Sequence, residues 1–268
     1  MKDEELLGKM KKVFLKRMKN QDLATDIPEK EVCKEICKKV ITGPAYIDFT
    51  PRTLKGIKKT DIENAVLNPL MDKIFDCIDN GPNNQVEFDK WHKETCEGFQ
   101  KKFKEETKKE IKAGKAQKIV NMTFKYMYCC KNASGKDVFK YCHMPLDTYI
   151  LEWFCDECIE DKSDISKTQI KETSWSNLEY GEPDEVYSYM WIQNIIRNGL
   201  KSSDRTLLEA EFFIWPEQQM RKAIKNIKDQ MFLDEEYPDY SVNLGVDENV
   251  HERIKRLSDY ISKTQGEK

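Results

Sequence analysis

Two residues of this chain have the types and the spacing for covalent chemistry. Lys118 lies in a predicted helix that begins near Gly114, and Asp147 opens the next predicted helix behind Pro145. A lysine amine can act as a nucleophile, and an ionised carboxylate can stabilise positive charge that develops during a reaction. A lysine on one helix and a carboxylate at the start of the next therefore form a candidate catalytic pair.

The helix that carries Lys118 also has a polar stripe. Lys118, Asn121 and Lys125 recur at positions i, i+3 and i+7, which places them on one side of a helix. One interpretation is a solvent-exposed stripe, because lysines on helices mostly serve solubility. The other is an anion site, since the stripe starts behind Gly114 at a helix N-terminus, where free backbone N–H groups and the helix dipole attract phosphate.

Asp147 is predicted to lie in the first turn of its helix, because Pro145 suits the start of a helix. A carboxylate at that position complements the helix dipole whether or not it has another role. The same dipole lowers the pKa of the carboxyl and keeps it ionised, which suits a group that stabilises positive charge.

These elements resemble a known family. A tight turn at Lys112-Ala-Gly-Lys115, a lysine just inside the following helix, a loop, and then Pro-Leu-Asp147 are similar to the helix-hairpin-helix DNA glycosylases, and most similar to their archaeal 8-oxoguanine branch. The likeness covers about forty residues. It implies that the hairpin grips a DNA phosphate, that the target base is flipped out, and that the aspartate supports departure of the base. In bifunctional members the lysine attacks the sugar and forms a Schiff base.

Carried over to this chain, the resemblance assigns a role to each matching residue. Lys118 is the amine, with Lys115 as the alternative, and Asp147 is the carboxylate. The turn Ala113-Gly114-Lys115 contacts phosphate, and Asn121 and Lys125 extend the nucleic-acid surface. The resemblance thus predicts DNA as the partner.

Two aromatic residues are candidates for stacking on a flipped base or on another planar ligand. Trp175 lies between serines in a predicted loop, and Phe139 precedes the turn at His143. Most of the other aromatic residues are expected to pack in the core.

A zinc site is the competing interpretation for the cysteines. Cys155 and Cys158 have the two-residue spacing of a zinc knuckle, and Cys142 with His143 supplies two more candidate ligands. The cysteine pair nevertheless lies on a predicted helix and lacks the glycine-rich turn that is typical of structural zinc. We expect that these thiols pack in the core, and that the protein uses no metal and no cofactor.

The wider sequence predicts an all-α or nearly all-α fold of nine or ten helices. Apolar residues recur at helical spacing along most of the 268 residues, and 39% hydrophobic content is enough for a proper core. We expect two packed helical subdomains with a helix-hairpin-helix-like element, and one short hairpin near residues 42–51, where turn residues flank an alternating segment. The chain is predicted to be a single compact unit over 1–268, with a possible subdivision into 1–160 and 161–268.

Composition places the protein in the cytoplasm. No apolar run is long enough to span a membrane, the N-terminus does not resemble a secretory signal, and nine scattered cysteines indicate reduced thiols. The net charge of −3 does not by itself indicate a nucleic-acid protein, although lysines are concentrated between residues 100 and 125.

Two functions remain at this point. The first is a DNA base-excision glycosylase or lyase that acts on a damaged or modified base through Lys118 and Asp147. The alternative is a non-catalytic helical protein that binds a nucleotide-like ligand or a protein partner. The enzyme interpretation requires that the two residues face each other across a cleft about the width of a nucleoside. If Lys118 is buried in an ion pair, or if Asp147 only caps its own helix, the enzyme interpretation fails on geometry.

Overall fold

The computed structural model of the chain describes residues 3–17, 30–49, 56–130, 133, 135–159, 165–201 and 203–235. Within these ranges the backbone is mostly helical and forms no strand, which confirms the predicted all-α class. The α-helices in chain order are α1 Asp3–Arg17, α2 Lys30–Thr42, α3 Pro44–Phe49, α4 Lys59–Ile62, α5 Asn68–Asn80, α6 Gln85–Thr107, α7 Ala113–Tyr128, α8 Thr148–Trp153, α9 Lys167–Glu172, α10 Tyr189–Gly199 and α11 Leu207–Glu235.

Short stretches of other helix types complete these elements. A π-helical turn joins α4 to α5 without a break, and another extends α8 as far as Cys158. Single 3-10 turns lie at Asp137–Lys140 and Trp175–Asn177. Among the described residues, no helix is both long enough and apolar enough to cross a membrane.

The chain divides into two units, Met1–Pro216 and Glu217–Lys268. The first contains α1 to α10 and the beginning of α11, together with every residue of the site described below. Of the second, the structure describes residues 217–235, which continue α11. The boundary considered between residues 160 and 161 falls in the segment 160–164, which lies outside the described residues.

The hairpin predicted near residues 42–51 is wrong over the part that the structure describes, because this part is helical. Gly43 separates α2 from α3, and Pro44 begins α3, a position that its fixed φ angle favours. Ala45 and Phe49 are fully buried, and their spacing of four residues is that of one helix face. What was taken for strand alternation is therefore one turn of amphipathic helix.

Helix α7 is the central element of the first unit. It packs against α2, α3, α5, α6 and the 3-10 turn Trp175–Asn177, and every residue of α7 except Lys115 is buried. A helix with neighbours on all sides has no solvated face, so the exposed stripe considered for Lys118, Asn121 and Lys125 is wrong. Their polar side chains must instead find partners inside the protein.

The connection between α6 and α7 differs from the predicted tight turn. Helix α6 ends at Thr107, its C-cap residue Lys108 adopts the left-handed conformation with a φ of 60°, and α7 begins at Ala113. Gly114 therefore lies in the first turn of α7 and not in the loop. The structure does not confirm a helix-hairpin-helix element.

Candidate functional site

A cavity of about 300 Å³ lies beside α7 within the first unit. Its volume falls at the lower end of the range of small-molecule pockets, about 300–1,000 Å³. Its walls come from α1, α3, α7, the start of α8, the 3-10 turn at Trp175 and α11, so distant parts of the sequence converge here. The lining residues are Phe14, Ile47, Asp48, Lys118, Met122, Lys125, Asp147, Trp175, Glu211 and Trp215.

Lys118 and Asp147 are in direct contact at the cavity wall. Lys118 Nζ lies 3.1 Å from Asp147 Oδ2, and their side chains are only 8% and 16% exposed. Trp215 Nε1 donates a second hydrogen bond to the same oxygen at 2.9 Å. The two candidate catalytic residues thus face one cavity as a closed ion pair, whereas we expected them to face each other across its width.

The other oxygen of Asp147 caps helix α8. Oδ1 accepts hydrogen bonds from the backbone N–H groups of Tyr149 at 3.0 Å and Ile150 at 3.1 Å. Asp147 is therefore the N-cap residue that precedes Thr148, and the prediction that it lies inside the first turn behind Pro145 is wrong by one position. The cap fixes the carboxylate, and its free edge points to Lys118 and Trp215.

The ion pair controls the ionisation of both partners. Burial alone would raise the pKa of Asp147, but the Lys118 ammonium, the Ile150 N–H and the Trp215 indole together hold it below its usual value. Burial alone would lower the pKa of Lys118, but the charge of Asp147, with smaller contributions from Asp48 and Glu211, holds it above its usual value. Lys118 is accordingly an ammonium and Asp147 a carboxylate at neutral pH.

A second buried ion pair borders the same cavity. Lys125 pairs with Glu211 of α11, and the two side chains are 2% and 1% exposed. The Lys125 ammonium also lies 4.1 Å from the ring centroid of Phe14 and 5.7 Å from that of Trp215. Burial raises the pKa of Glu211, and Lys125 only partly opposes this rise. An aromatic cage therefore surrounds this cation.

Asp48 adds a third carboxylate to the cavity. Tyr126 Oη donates to Asp48 Oδ2 at 3.2 Å, and burial raises the pKa of Asp48 above its usual value. With its charged pairs and aromatic walls, the cavity combines a planar apolar surface with groups that can donate, accept or transfer protons. This combination suits a flat heteroaromatic ligand.

The start of α7 is closed, and its first turn is not the open phosphate site that we predicted. Gly114 N donates to Leu178 O at 2.9 Å, and the backbone of Trp175 lies so close that a Cβ atom on Gly114 would stand 1.8 Å from the Trp175 carbonyl oxygen. The expected free N–H group at Gly114 is wrong. Glycine is needed there because it lets the Trp175 segment approach α7.

Of the two lysine candidates, only Lys118 lines the cavity. Lys115 is half-buried on the same helix, and burial lowers the pKa of its amine. Both ammonium groups lie 5.9 Å from the centroid of the Trp175 ring, which is itself part of the cavity wall. The structure therefore places Trp175, Lys118 and Lys115 in one neighbourhood.

Two other predicted site residues lie elsewhere. Phe139 is 3% exposed and packs against Phe124 and Tyr128 with ring centroids 6.2 and 5.1 Å apart, so it belongs to the core and is not available for stacking. Asn121 is 1% exposed, binds His92 and does not line the cavity, so the structure does not bring it to the candidate site.

The zinc alternative does not fit the described residues, which contain no group of three or more ligand side chains that could hold a metal ion. Cys142 Sγ donates to the Val138 carbonyl oxygen. His143 is occupied by Asp89 and Tyr189. Cys155 Sγ donates to the carbonyl oxygen of Lys167, so no four-ligand cluster forms with Cys158.

Six of the ten lining residues were not predicted: the aliphatic Ile47 and Met122, and Phe14, Asp48, Glu211 and Trp215. A signal existed for two of them. Glu211, with Glu209, interrupts the otherwise apolar run Leu207–Trp215, and Asp48 interrupts another apolar run in α3. A carboxylate among core residues indicates a buried partner, which here is Lys125 for Glu211 and Tyr126 for Asp48. Phe14 and Trp215 carried no signal beyond their aromatic type.

Comparisons of the chain with protein families, with curated proteins and with solved structures find no match.

Proposed function

We propose that this protein is a DNA base-excision glycosylase and lyase that acts on a damaged or modified base, with Lys118 as the amine and Asp147 as the carboxylate. One observation carries the proposal. Lys118 and Asp147, singled out by type and spacing and 29 positions apart in sequence, both line one cavity with aromatic side chains. Their 3.1 Å ion pair meets the condition that we set against an enzyme, so the proposal requires that a bound substrate separates the two groups. A location in the cytoplasm is part of the same proposal.

The cavity offers what a flipped base needs. Trp175, Trp215 and Phe14 supply flat apolar surface for stacking, and the buried Lys125 and Glu211 pair supplies polar groups for the edge of the base. Lys115 is half-buried with its ammonium 5.9 Å from the centroid of the Trp175 ring, and in this proposal it contacts a DNA phosphate.

The ion pair suggests the order of proton transfers. As the bond between the sugar C1′ and the base breaks, both electrons leave with the base, which takes a proton from the Lys118 ammonium. Asp147 remains ionised and stabilises the positive charge on the sugar. The neutral Lys118 amine then bonds to C1′, one proton passes from this nitrogen to the ring oxygen, the ring opens, and a protonated Schiff base remains.

Borohydride trapping tests this proposal. Duplex oligonucleotides that carry 8-oxoguanine, uracil or an abasic site are incubated with the protein and sodium borohydride, which reduces a Schiff base to a stable amine. We expect an adduct with the wild type and none with Lys118→Gln. Asp147→Asn is expected to release base about 100–1,000-fold more slowly, the loss typical of one electrostatic group.

Lys115→Gln distinguishes the two lysine candidates, because Lys115 lies on the same helix but does not line the cavity. An adduct that persists in Lys118→Gln and disappears in Lys115→Gln would transfer the amine role to Lys115. A folded wild type that forms no adduct and releases no base from any of the three duplexes would reject the glycosylase proposal for those lesions.

The alternative is a non-catalytic protein that binds a nucleotide-like ligand or a protein partner, and one observation favours it. Lys118 already pairs with Asp147, which raises the pKa of its amine, and Asp147 already caps α8. Both groups therefore have a structural role in the absence of any substrate. In that case a nucleoside or nucleotide binds the cavity, and binding weakens in Trp175→Ala, without any adduct. Calorimetric titration with nucleosides and nucleotides distinguishes this outcome.

A further inference from the structure

The segment before Asp147 is buried backbone outside any helix, and its polar groups are satisfied by two glutamine side chains. Gln193 of α10 donates to Met144 O at 2.8 Å and accepts from Met144 N at 3.1 Å. Gln117 of α7 makes the same paired contact two residues later, donating to Leu146 O at 3.0 Å and accepting from Leu146 N at 3.3 Å. Buried backbone groups need such partners, so each carboxamide acts as a clamp.

The Gln117 clamp lies directly beside the candidate catalytic pair. Gln117 precedes Lys118 and Leu146 precedes Asp147, so the two contacts form adjacent rungs between α7 and the start of α8. The contact between Lys118 and Asp147 is charged, and it must break before Lys118 can react. The contact between Gln117 and the Leu146 backbone is neutral and does not depend on the protonation of either partner.

Gln117 is itself held in place. Its carboxamide is fully buried, donates also to Gly114 O at 2.9 Å and accepts from Asn121 Nδ2 at 2.8 Å, so both its nitrogen and its oxygen have two partners. Asn121 in turn donates to Tyr189 Oη and binds His92. A fully satisfied network of this kind fixes a single side-chain conformation.

We propose that Gln117 is a positioning residue that holds the backbone at Leu146, and through it the Asp147 carboxylate, in register with Lys118. Its catalytic consequence depends on the proposed function, whereas its geometric consequence does not. When a substrate separates Lys118 from Asp147, the contact between Gln117 and Leu146 keeps Asp147 next to the sugar on which positive charge develops.

A signal in the protein itself reports the position of Asp147. The Trp215 indole N–H donates to Asp147 Oδ2, so its ¹H–¹⁵N resonance responds when that oxygen moves. The five tryptophans give few indole signals, and the spectrum of Trp215→Phe identifies the one needed. We expect Gln117→Asn, which is one methylene too short to reach Leu146, to shift this resonance.

Gln193→Asn is the matched control. It removes the same kind of paired contact from Met144, three residues before Asp147, and is expected to leave the Trp215 resonance in place. An unchanged resonance in folded Gln117→Asn, or equal shifts in both variants, would overturn the proposal. Rapid hydrogen exchange of the Leu146 amide in the unsubstituted protein would also overturn it, even if Gln117→Asn does not fold.

The kinetic arm measures base release from a duplex that carries 8-oxoguanine or uracil, over a range of DNA concentrations. We expect base release about 100-fold slower in Gln117→Asn with an unchanged KM, since a displacement of about 1 Å at a reacting group costs this much. Gln193→Asn should stay near the wild-type rate. A wild type without base release or adduct, combined with a shifted Trp215 resonance in Gln117→Asn, would reject the proposed function but retain the positioning role. A wild-type rate in Gln117→Asn would reject the positioning role alone.

Discussion

The buried polar side chains of helix α7 find different kinds of partner on its two sides. Both bury polar side chains next to the helix, but the side of Gln117 and Asn121 uses neutral groups, whereas the side of Lys118 and Lys125 uses ion pairs. On the first side, which we call the amide network, Asn121 binds His92, Gln117 and Tyr189 at 2.8–2.9 Å. On the second side, both ion pairs border the cavity.

The difference shows where the fold is fixed and where it can react. Neutral groups that are fully hydrogen-bonded hold one geometry and gain nothing from a ligand. Buried charges carry a large desolvation penalty that their mutual attraction only partly offsets, so a ligand that replaces a partner can compete. The amide network therefore keeps one fixed geometry, whereas the ion pairs at the cavity can exchange a partner for a ligand.

The largest effect on this comparison should be the loss of stability when the lysine of either ion pair is replaced by methionine. Lys125→Met leaves Glu211 buried without its partner, and we expect the free energy of unfolding to fall by about 3–5 kcal/mol. Lys118→Met should cost less, because Asp147 keeps the N–H groups of Tyr149 and Ile150 and the indole of Trp215. Urea unfolding followed by circular dichroism measures both.

The double variant Lys125→Met/Glu211→Leu is the control for this prediction. It removes both charges and keeps apolar volume, so much of the lost stability should return. If the double variant is as unstable as Lys125→Met, the loss comes from packing around the aromatic cage and not from the unpaired carboxylate. Equal losses in Lys125→Met and Lys118→Met would contradict the idea that the Asp147 carboxylate has its own support.

A smaller effect is expected where the cavity wall meets α7. In Gly114→Ala the new methyl group would overlap the carbonyl of Trp175, so the segment must move and the bond from Gly114 N to Leu178 O is strained. We expect a loss of about 1–3 kcal/mol, the usual cost of overpacking. Tryptophan fluorescence should report the displaced Trp175 in the same unfolding experiment.

Gly98→Ala is the matched control on helix α6. The closest atom to a Cβ there is the flexible Lys73 Nζ at 3.5 Å, so the alanine fits. Since glycine inside a helix is about 0.5–1 kcal/mol less favourable than alanine, this variant should be slightly more stable than the wild type. A Gly114→Ala protein of unchanged stability would show that the Trp175 segment is not held by this close approach.

The sequence was a good guide to helices, because helical spacing is a local signal, although Pro145 misplaced the start of α8 by three residues. It also singled out Lys118 and Asp147, which the structure brings into contact. It misplaced Asn121. With 3.6 residues per turn, Asn121 lies only about 60° around the helix axis from Lys118, so periodicity puts both on one stripe. Which neighbour each one meets depends on α10 and α11, whose packing is not encoded near residue 118.

The same limit explains the cavity. Glu211 and Trp215 come from α11 and Asp48 from α3, and only tertiary packing brings them to Lys118. The predicted open anion site failed for a similar reason, because Leu178 and Trp175 cover Gly114 from more than sixty positions away in the sequence. Local patterns predicted which residues carry charge but not which of those charges would be buried together.

The smallest effect concerns His92 of the amide network and the adjoining His143, two buried histidines whose pKa values should lie below the usual 6.5. The Asn121 amide oxygen only accepts, so His92 Nε2 donates to it, and His143 Nε2 donates to Asp89 at 2.7 Å. Burial lowers the pKa of both histidines, although Asp89 opposes this. The pKa of Asp89 falls to about 2, so it stays ionised throughout.

Because the folded protein resists protonation, the two histidines contribute stability that is complete above pH 6.5 and lost as the pH falls towards their folded pKa values. Asp48 and Glu211, whose pKa values burial raises, contribute stability that is lost as the pH rises, so the two sides of α7 oppose each other in acid. Histidine ring ¹⁵N shifts report the titration of the two histidines separately from that of the two carboxylates. The measurement is made in His251→Gln, which removes the remaining histidine of the chain. If either remaining histidine titrates with a midpoint at or above pH 6.5, the amide network takes up protons as easily as the groups that line the cavity. The network could then no longer be called the fixed side of α7.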